Sequence, residues 1–294
     1  MSDDDRITRF TNGAFSFDVA DSGPLDGEVV VCLHGFPQPA SSWGQVAAHL
    51  TAAGYRVLAP TQRGYSAAAR PLARRAYTTA ELAGDIVALL DTAATERAHI
   101  VGHDWGGGVA WQLAASHPER CATMTSVSTP HPGAMAASMT RSNQLLHSWY
   151  MLAFQIPWLP EKLMATVGVE RAKGTFMKDG LSEPSAAASA ALICDPATAR
   201  GMIGWYRALP FAGREPIGKV DVPTAYIWSD HDKYLGRWAA EHTADWVTGP
   251  YRFVEIPGGT HWLPDTHPAR IADTVTALAA EYPATRTTES NPTS

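Results

Sequence analysis

The chain reads as an α/β protein: a mostly parallel central sheet with helices on both faces and a helical lid inserted between two of its strands. Three observations predict this. Short runs such as Val29-Val30-Val31-Cys32-Leu33 and Ala98-His99-Ile100-Val101 are continuously apolar, as strands buried on both faces are. They alternate with helical segments, the order that builds a parallel sheet. That alternation then stops from about 132 to 220, where the chain is alanine-rich and dotted with Trp149, Trp158 and Trp205. Pro157, Pro160, Pro184, Pro196 and Pro210 cut this stretch into short helices.

Taken in order, residues 7–20 alternate around Asn12-Gly13, a hairpin signal. Residues 28–33 give the first buried strand, 43–53 a helix and 55–59 a second strand. From 79 to 93, Leu82, Ile86, Leu89 and Leu90 line one helical face, with Thr78 or Thr79 as cap. Residues 98–101 and 121–127 are further strands, with a helix from 109 between them. After the lid the alternation resumes: a strand at 224–228, a helix at 237–247, a strand at 251–256 and a last helix near 269–282. The expected division is core at 1–131 and 221–283, lid at 132–220 and a disordered tail at 284–294. An insertion so placed covers the strand C-terminal edge, where open α/β sheets keep their sites.

With 294 residues, 45% of them hydrophobic, the chain can bury a large core and carry an appended lid. A net charge of −6 without any lysine or arginine cluster speaks against nucleic acid and anionic membrane as partners. No uncharged apolar run approaches the roughly 20 residues of a membrane span. The acidic start, Met1-Ser2-Asp3-Asp4-Asp5, lacks the pattern of a secretory signal, so a cytoplasmic protein is expected. Cys32, Cys121 and Cys194 are scattered and make neither a disulfide framework nor a metal cluster.

The chemistry centres on Val101-Gly102-His103-Asp104-Trp105-Gly106-Gly107-Gly108. Glycines two positions either side of Asp104 give the strand-turn-helix spacing that holds a nucleophile on a tight turn. An aspartate that attacks an sp3 carbon leaves an alkyl ester, which water cleaves at the carbonyl carbon. With an ordinary pKa of about 3.9 the carboxylate is already ionised at neutral pH, so a base is needed only for that second step. The bland alternative is a helix cap, worth about 0.3–1 kcal/mol. Capping alone does not call for glycines on both sides.

Partners for such a nucleophile follow in the expected chain order. His34-Gly35-Phe36-Pro37-Gln38 comes after the first buried strand, and its turn can aim the backbone N–H of Phe36 beside that of Trp105 as an oxyanion hole. His261, in Gly258-Gly259-Thr260-His261-Trp262, follows the last strand, where a general base belongs. The loop Ser229-Asp230-His231-Asp232-Lys233 supplies a carboxylate to orient it. Asp232 is favoured and Asp230 reads as a loop or cap residue, a choice that sequence leaves open. His34 and His103 read as structural.

At these residues the chain resembles the α/β-hydrolase superfamily and, within it, the epoxide hydrolases, over nearly its whole length apart from the tails. The resemblance implies an α/β-hydrolase fold and an Asp104, His261, Asp232 triad that works through an aspartyl ester without any cofactor. It also implies an epoxide as substrate. Ser148-Trp149-Tyr150-Met151 and Gly204-Trp205-Tyr206-Arg207 are similar to the family's two lid segments, so Tyr150 and Tyr206 are expected to donate to the epoxide oxygen. Phenols suit that task, because they stay protonated at neutral pH and can donate as charge develops. The family often has asparagine where this chain has Gly204.

Trp149, Met151, Phe154 and Trp205 are the expected apolar pocket wall, favouring a hydrophobic epoxide with water as co-substrate. A homodimer is compatible with the sequence. Two other readings stay open. Haloalkane or haloacetate dehalogenases share the triad, and here Trp105 with Trp149 or Trp205 would hold the halide. Against this, those families usually carry asparagine at the position of Phe36 or arginine at that of Trp105. A non-catalytic binder on the same fold would not need an intact triad.

Overall fold

The computed structural model describes residues 6–212 and 217–284. The tail expected at 284–294 therefore lies, beyond Ala284, outside the described residues. Eight strands form one sheet: β1 (Arg9–Asn12), β2 (Phe15–Ser22), β3 (Val29–Leu33), β4 (Arg56–Pro60), β5 (Ala98–His103), β6 (Cys121–Val127), β7 (Thr224–Ser229) and β8 (Tyr251–Ile256). Their order is β1-β2-β4-β3-β5-β6-β7-β8. The hairpin pairs antiparallel, β2 pairs antiparallel with β4, and all remaining pairs are parallel.

Every residue of β3 is buried, and the pleat sends alternate side chains to opposite faces. Val29, Val31 and Leu33 join one core with Ile100, while Val30 and Cys32 join the other with Val101. Helices α2 (Thr79–Thr92) and α3 (Trp105–Ser116) cover the first face through Leu82, Ile86, Leu90 and Trp111. The second face is covered by α1 (Gly44–Ala52), with Leu50 inward, and by the last helix (Pro268–Glu281), with Ile271 and Val275 inward.

Between β6 and β7 the chain is helical: α4 (Pro132–Arg141), α5 (Gln144–His147), α6 (Trp149–Ala153), α7 (Leu159–Val167), α8 (Val169–Lys178), α9 (Glu183–Cys194) and α10 (Pro196–Arg207). Prolines 160, 184 and 196 sit at the first turns of α7, α9 and α10, where the missing N–H leaves no bond unmade. The insertion meets the core through a backbone contact so close that a Cβ on Gly201 would lie 2.1 Å from the Gly64 carbonyl oxygen. Gly204 is constrained similarly: its Cβ would sit 3.0 Å from three atoms of the Tyr77 ring.

The helix expected at 237–247 is shorter. Helix α11 spans Arg237–Glu241, and the chain then tightens into a 3-10 turn at Thr243–Trp246. Thr243 is buried there and accepts the His131 N–H at 3.1 Å, a tertiary bond that periodicity does not reveal. A short helix, α12 (Leu263–Thr266), precedes the last one, α13 (Pro268–Glu281). Among the described residues no helix is long and apolar enough to cross a membrane.

Candidate active site

Asp104 occupies the turn between β5 and α3 with φ 50° and ψ −122°, a conformation that L-residues seldom adopt. The neighbouring glycines make the turn possible. A Cβ on Gly102 would lie 2.2 Å from the Gly106 oxygen, and one on Gly106 would lie 2.1 Å from the Leu33 oxygen. A Cβ on Gly35 would strike the Asp104 side chain at 2.4 Å. The Asp104 carboxylate makes no capping bond to α3. Its Oδ1 instead accepts the Phe36 backbone N–H at 2.7 Å, and the nearby Trp105 backbone N–H helps to lower the carboxyl pKa.

The other oxygen, Oδ2, lies 3.5 Å from His261 Nε2. His261 is held on both sides: its Nδ1 is 2.7 Å from Asp232 Oδ2, and its carbonyl accepts from His103 Nε2 at 2.9 Å and Ser128 Oγ at 3.0 Å. Asp232 is buried, and its Oδ1 accepts the backbone N–H groups of Tyr234 and Leu235 at 2.8 and 3.0 Å. Asp230 faces away and takes the Gly258 N–H at 2.6 Å, as a loop residue does.

Charge sets the resting state. Burial alone would lower the His261 pKa, but the Asp232 charge and the hydrogen bonds to Asp104 and Asp232 lift it to about 10. Burial likewise pushes Asp104 up, and the hydrogen bond and charge of His261 bring it below the ordinary carboxylate value. The two therefore rest as a carboxylate beside an imidazolium.

Above this floor stand Tyr150 from α6 and Tyr206 from α10, their ring centroids 5.9 Å apart. Burial first, then the nearby Asp104 charge, pushes Tyr150 above its usual range; burial first, then Tyr150 and Asp104, does the same to Tyr206. The Tyr206 hydroxyl beside Tyr150, and the Trp105 indole packed edge-on against Tyr206, offset part of that rise. Both remain protonated at neutral pH.

Two cavity lobes meet at Asp104, Tyr150 and Tyr234. The smaller, about 110 Å³, is walled by Phe36, Phe176, Tyr206, His261 and Trp262. The larger, about 550 Å³, is walled by Trp105, Met135, Met139, Met151, Leu209 and Leu235 among others.

Of the expected pocket wall, Met151 lines this lobe and three residues do not. Trp149 is 67% exposed, because one step along a helix from the inward Tyr150 turns the side chain by about 100° toward solvent. Trp205 is fully buried behind the site, its indole donating to the Arg63 carbonyl at 2.7 Å. Phe154 lies edge-on against Phe36, Tyr150 and Tyr206 and backs the tyrosines rather than the cavity. The wall residues Tyr234, Phe176, Met135 and Met139 escape a reading of the sequence, since nothing in their local pattern distinguishes a cavity face from a core face.

A parallel sheet with an aspartate on a strand-to-helix elbow and a histidine loop at its C-terminal edge has the layout of an α/β hydrolase. The model of the alpha/beta hydrolase fold family matches residues 28–268, and the chain belongs to that family. Within it, the chain is 31% identical to Epoxide hydrolase A of Mycobacterium tuberculosis (strain ATCC 25618 / H37Rv), covering 92% of this chain and 95% of that protein. It is 32% identical to the AB hydrolase superfamily protein YfhM of Bacillus subtilis (strain 168), with the same coverage. A solved structure described among novel epoxide hydrolases in metagenomes from hot environments superposes with a TM-score of 0.80. It is 28% identical, over 93% of this chain and 98% of that one.

Proposed function

We propose that the chain is an epoxide hydrolase that converts an apolar epoxide and water to a vicinal diol through an alkyl ester of Asp104. One observation carries this reading. The Phe36 backbone N–H holds the Asp104 carboxylate from one side, Oδ2 faces His261, and two protonated phenols stand over the same cavity. The relatives named for epoxide hydrolysis support it.

In this scheme Oδ2 attacks an epoxide carbon, the C–O bond breaks, and Tyr150 or Tyr206 gives a proton to the departing oxygen. Esterification removes the negative charge beside His261, so its pKa falls and it becomes neutral imidazole. The proton it sheds balances the one the phenol gave up. His261, oriented by Asp232, then takes a proton from water whose oxygen bonds the ester carbonyl carbon. Oδ1 becomes the oxyanion, with the Phe36 and Trp105 N–H groups already in place. Collapse expels the diol, its oxygen taking a proton, and Asp104 returns as a carboxylate beside the imidazolium.

The dehalogenase reading needs two indole donors in the cavity. Trp149 stands at the surface and Trp205 donates to Arg63, so only Trp105 is left on the cavity wall, which favours the epoxide. The net charge of −6 favours an enzyme of a small molecule over a protein that binds nucleic acid or anionic membrane.

The test is His261→Gln incubated with styrene oxide. Intact-protein mass spectrometry should show the enzyme plus one substrate, and adding Asp104→Ala should remove the adduct. Diol formation without any adduct, or bromide release from 1-bromobutane in place of epoxide turnover, would overturn the proposal.

A further inference from the structure

A single carboxylate of the helical insertion, Asp179, collects three donors from the two core loops that carry His261 and Asp232. Its Oδ1 accepts from Lys233 Nζ at 2.6 Å, and its Oδ2 accepts from Tyr234 Oη at 2.8 Å and Trp262 Nε1 at 3.1 Å. Each donor is tied to a triad member. Lys233 follows Asp232 in the chain, and Trp262 follows His261. Tyr234 gives its backbone N–H to Asp232 Oδ1 and packs its ring edge-on against His261, centroids 5.0 Å apart. Tyr234 also borders both cavity lobes.

The exposed Lys233 contact is a surface ion pair and worth little. The Tyr234 and Trp262 contacts differ, because Trp262 is buried and both rings form the wall around His261. A charged acceptor on two such donors fixes their rings more firmly than a neutral one.

On the aspartyl-ester reading above, we propose that Asp179 is a positioning residue for the second half-reaction: it holds the Tyr234 and Trp262 rings so that His261 stays aimed between Asp232 and the ester. Phe36, Trp105, Tyr150, Tyr206 and Asp104 make no hydrogen bond to Asp179, so ester formation feels it only through the Tyr234 ring edge against Tyr150, centroids 6.3 Å apart, whereas His261 loses both of its aromatic supports.

The molecule supplies its own control. A second carboxylate crosses the same seam in the opposite sense: Asp265, on the core, accepts from Ser182 N, Ser182 Oγ and Ser185 Oγ at 2.7, 2.9 and 2.6 Å. Removing it loosens the insertion without freeing Tyr234 or Trp262.

Single-turnover quenched flow with styrene oxide, read by intact mass, separates ester formation from ester hydrolysis. Asp179→Ala should form the ester at close to the wild-type rate and hydrolyse it about 10- to 100-fold more slowly, the cost of a small misplacement. Tyr234→Phe, which keeps the ring and loses the bond, should shift the same ratio in the same direction and carries the test if Asp179→Ala does not fold. Asp265→Ala should leave the ratio at its wild-type value. Wild-type hydrolysis rates in Asp179→Ala and Tyr234→Phe, or equal slowing of both steps in Asp179→Ala and Asp265→Ala, would overturn this inference alone. Absence of any ester in the wild type would overturn the aspartyl-ester reading, and this inference with it.

Discussion

The floor and the roof of the cavity are built by different means. On the floor, the backbone does the positioning: Asp104 sits at positive φ, three glycines have no room for a Cβ, and the Phe36 donor is a peptide N–H. On the roof, side chains do it. Tyr150 and Tyr206 are held by edge-on rings of Phe154 and Trp105, and α10 is tied down by Arg207, which pairs with buried Glu161 and donates to the Phe154 and Ile156 carbonyls. A floor enforced by backbone sterics tolerates almost no substitution. A roof made of packed rings can be rebuilt around another substrate while the floor stays the same.

The comparison breaks most easily at the phenols. If the roof supplies the proton, Tyr150→Phe with Tyr206→Phe should lower epoxide opening by about 10²–10⁴-fold, the usual range for a positioned acid. Each single change should cost less, because the remaining phenol still faces the oxygen. The fold should be intact by circular dichroism, since both rings remain. Full activity in the double variant would place the acid on the floor instead.

A pair of glycines sharpens the contrast in stability. Gly106→Ala puts a Cβ 2.1 Å from the Leu33 carbonyl oxygen, a clash with backbone that only a shift of β3 or α3 relieves. A loss of about 3 kcal/mol is expected. Gly174, inside α8, has nothing within 4 Å of the place a Cβ would take, so Gly174→Ala should gain up to about 1 kcal/mol from helix propensity. Urea unfolding of both variants checks the two signs, and equal effects would erase the distinction between the halves.

This contrast also explains what the sequence could and could not tell. The floor was legible because its constraints fall on neighbouring residues: glycines at fixed spacing around Asp104, a glycine turn after β3, a histidine after β8. Asp232 and Asp230 are two residues apart, and only the fold shows which one meets His261 at 2.7 Å. The roof was legible through resemblance alone, for Tyr150 and Tyr206. Its wall was not, because whether an aromatic residue faces cavity, core or solvent depends on helix rotation within the insertion. Trp149 turns to solvent, Phe154 to the backs of the tyrosines and Trp205 to the core for that reason. Tyr234 and Asp179 escaped notice because their partners lie in other segments of the chain, 55 residues apart in the case of each other.

A further effect, absent at neutral pH and growing only as the pH departs from it, comes from buried histidines. Burial pushes His34 and His131 down to about 4 and His103, also beside the charge of His261, down to about 3. Geometry agrees for two of them. His34 Nε2 accepts the Gln62 N–H at 3.1 Å and His131 Nδ1 accepts the Gly133 N–H at 3.0 Å, so neither nitrogen can carry a proton. Unfolded, each histidine takes up a proton near its ordinary pKa of about 6.5, while the folded chain refuses it. Stability should therefore fall as pH drops below about 6.5, by up to about 1.4 kcal/mol per pH unit for each histidine, until the folded pKa is reached. His261 has the opposite sign. Its raised pKa contributes stability that is full below about 6.5 and lost as pH climbs toward about 10. Denaturant unfolding across pH 4 to 10 should thus peak near neutrality. His261→Gln should flatten the alkaline side and leave the acid side in place; a change on the acid side instead would show that the neutral histidines are not what limits the floor.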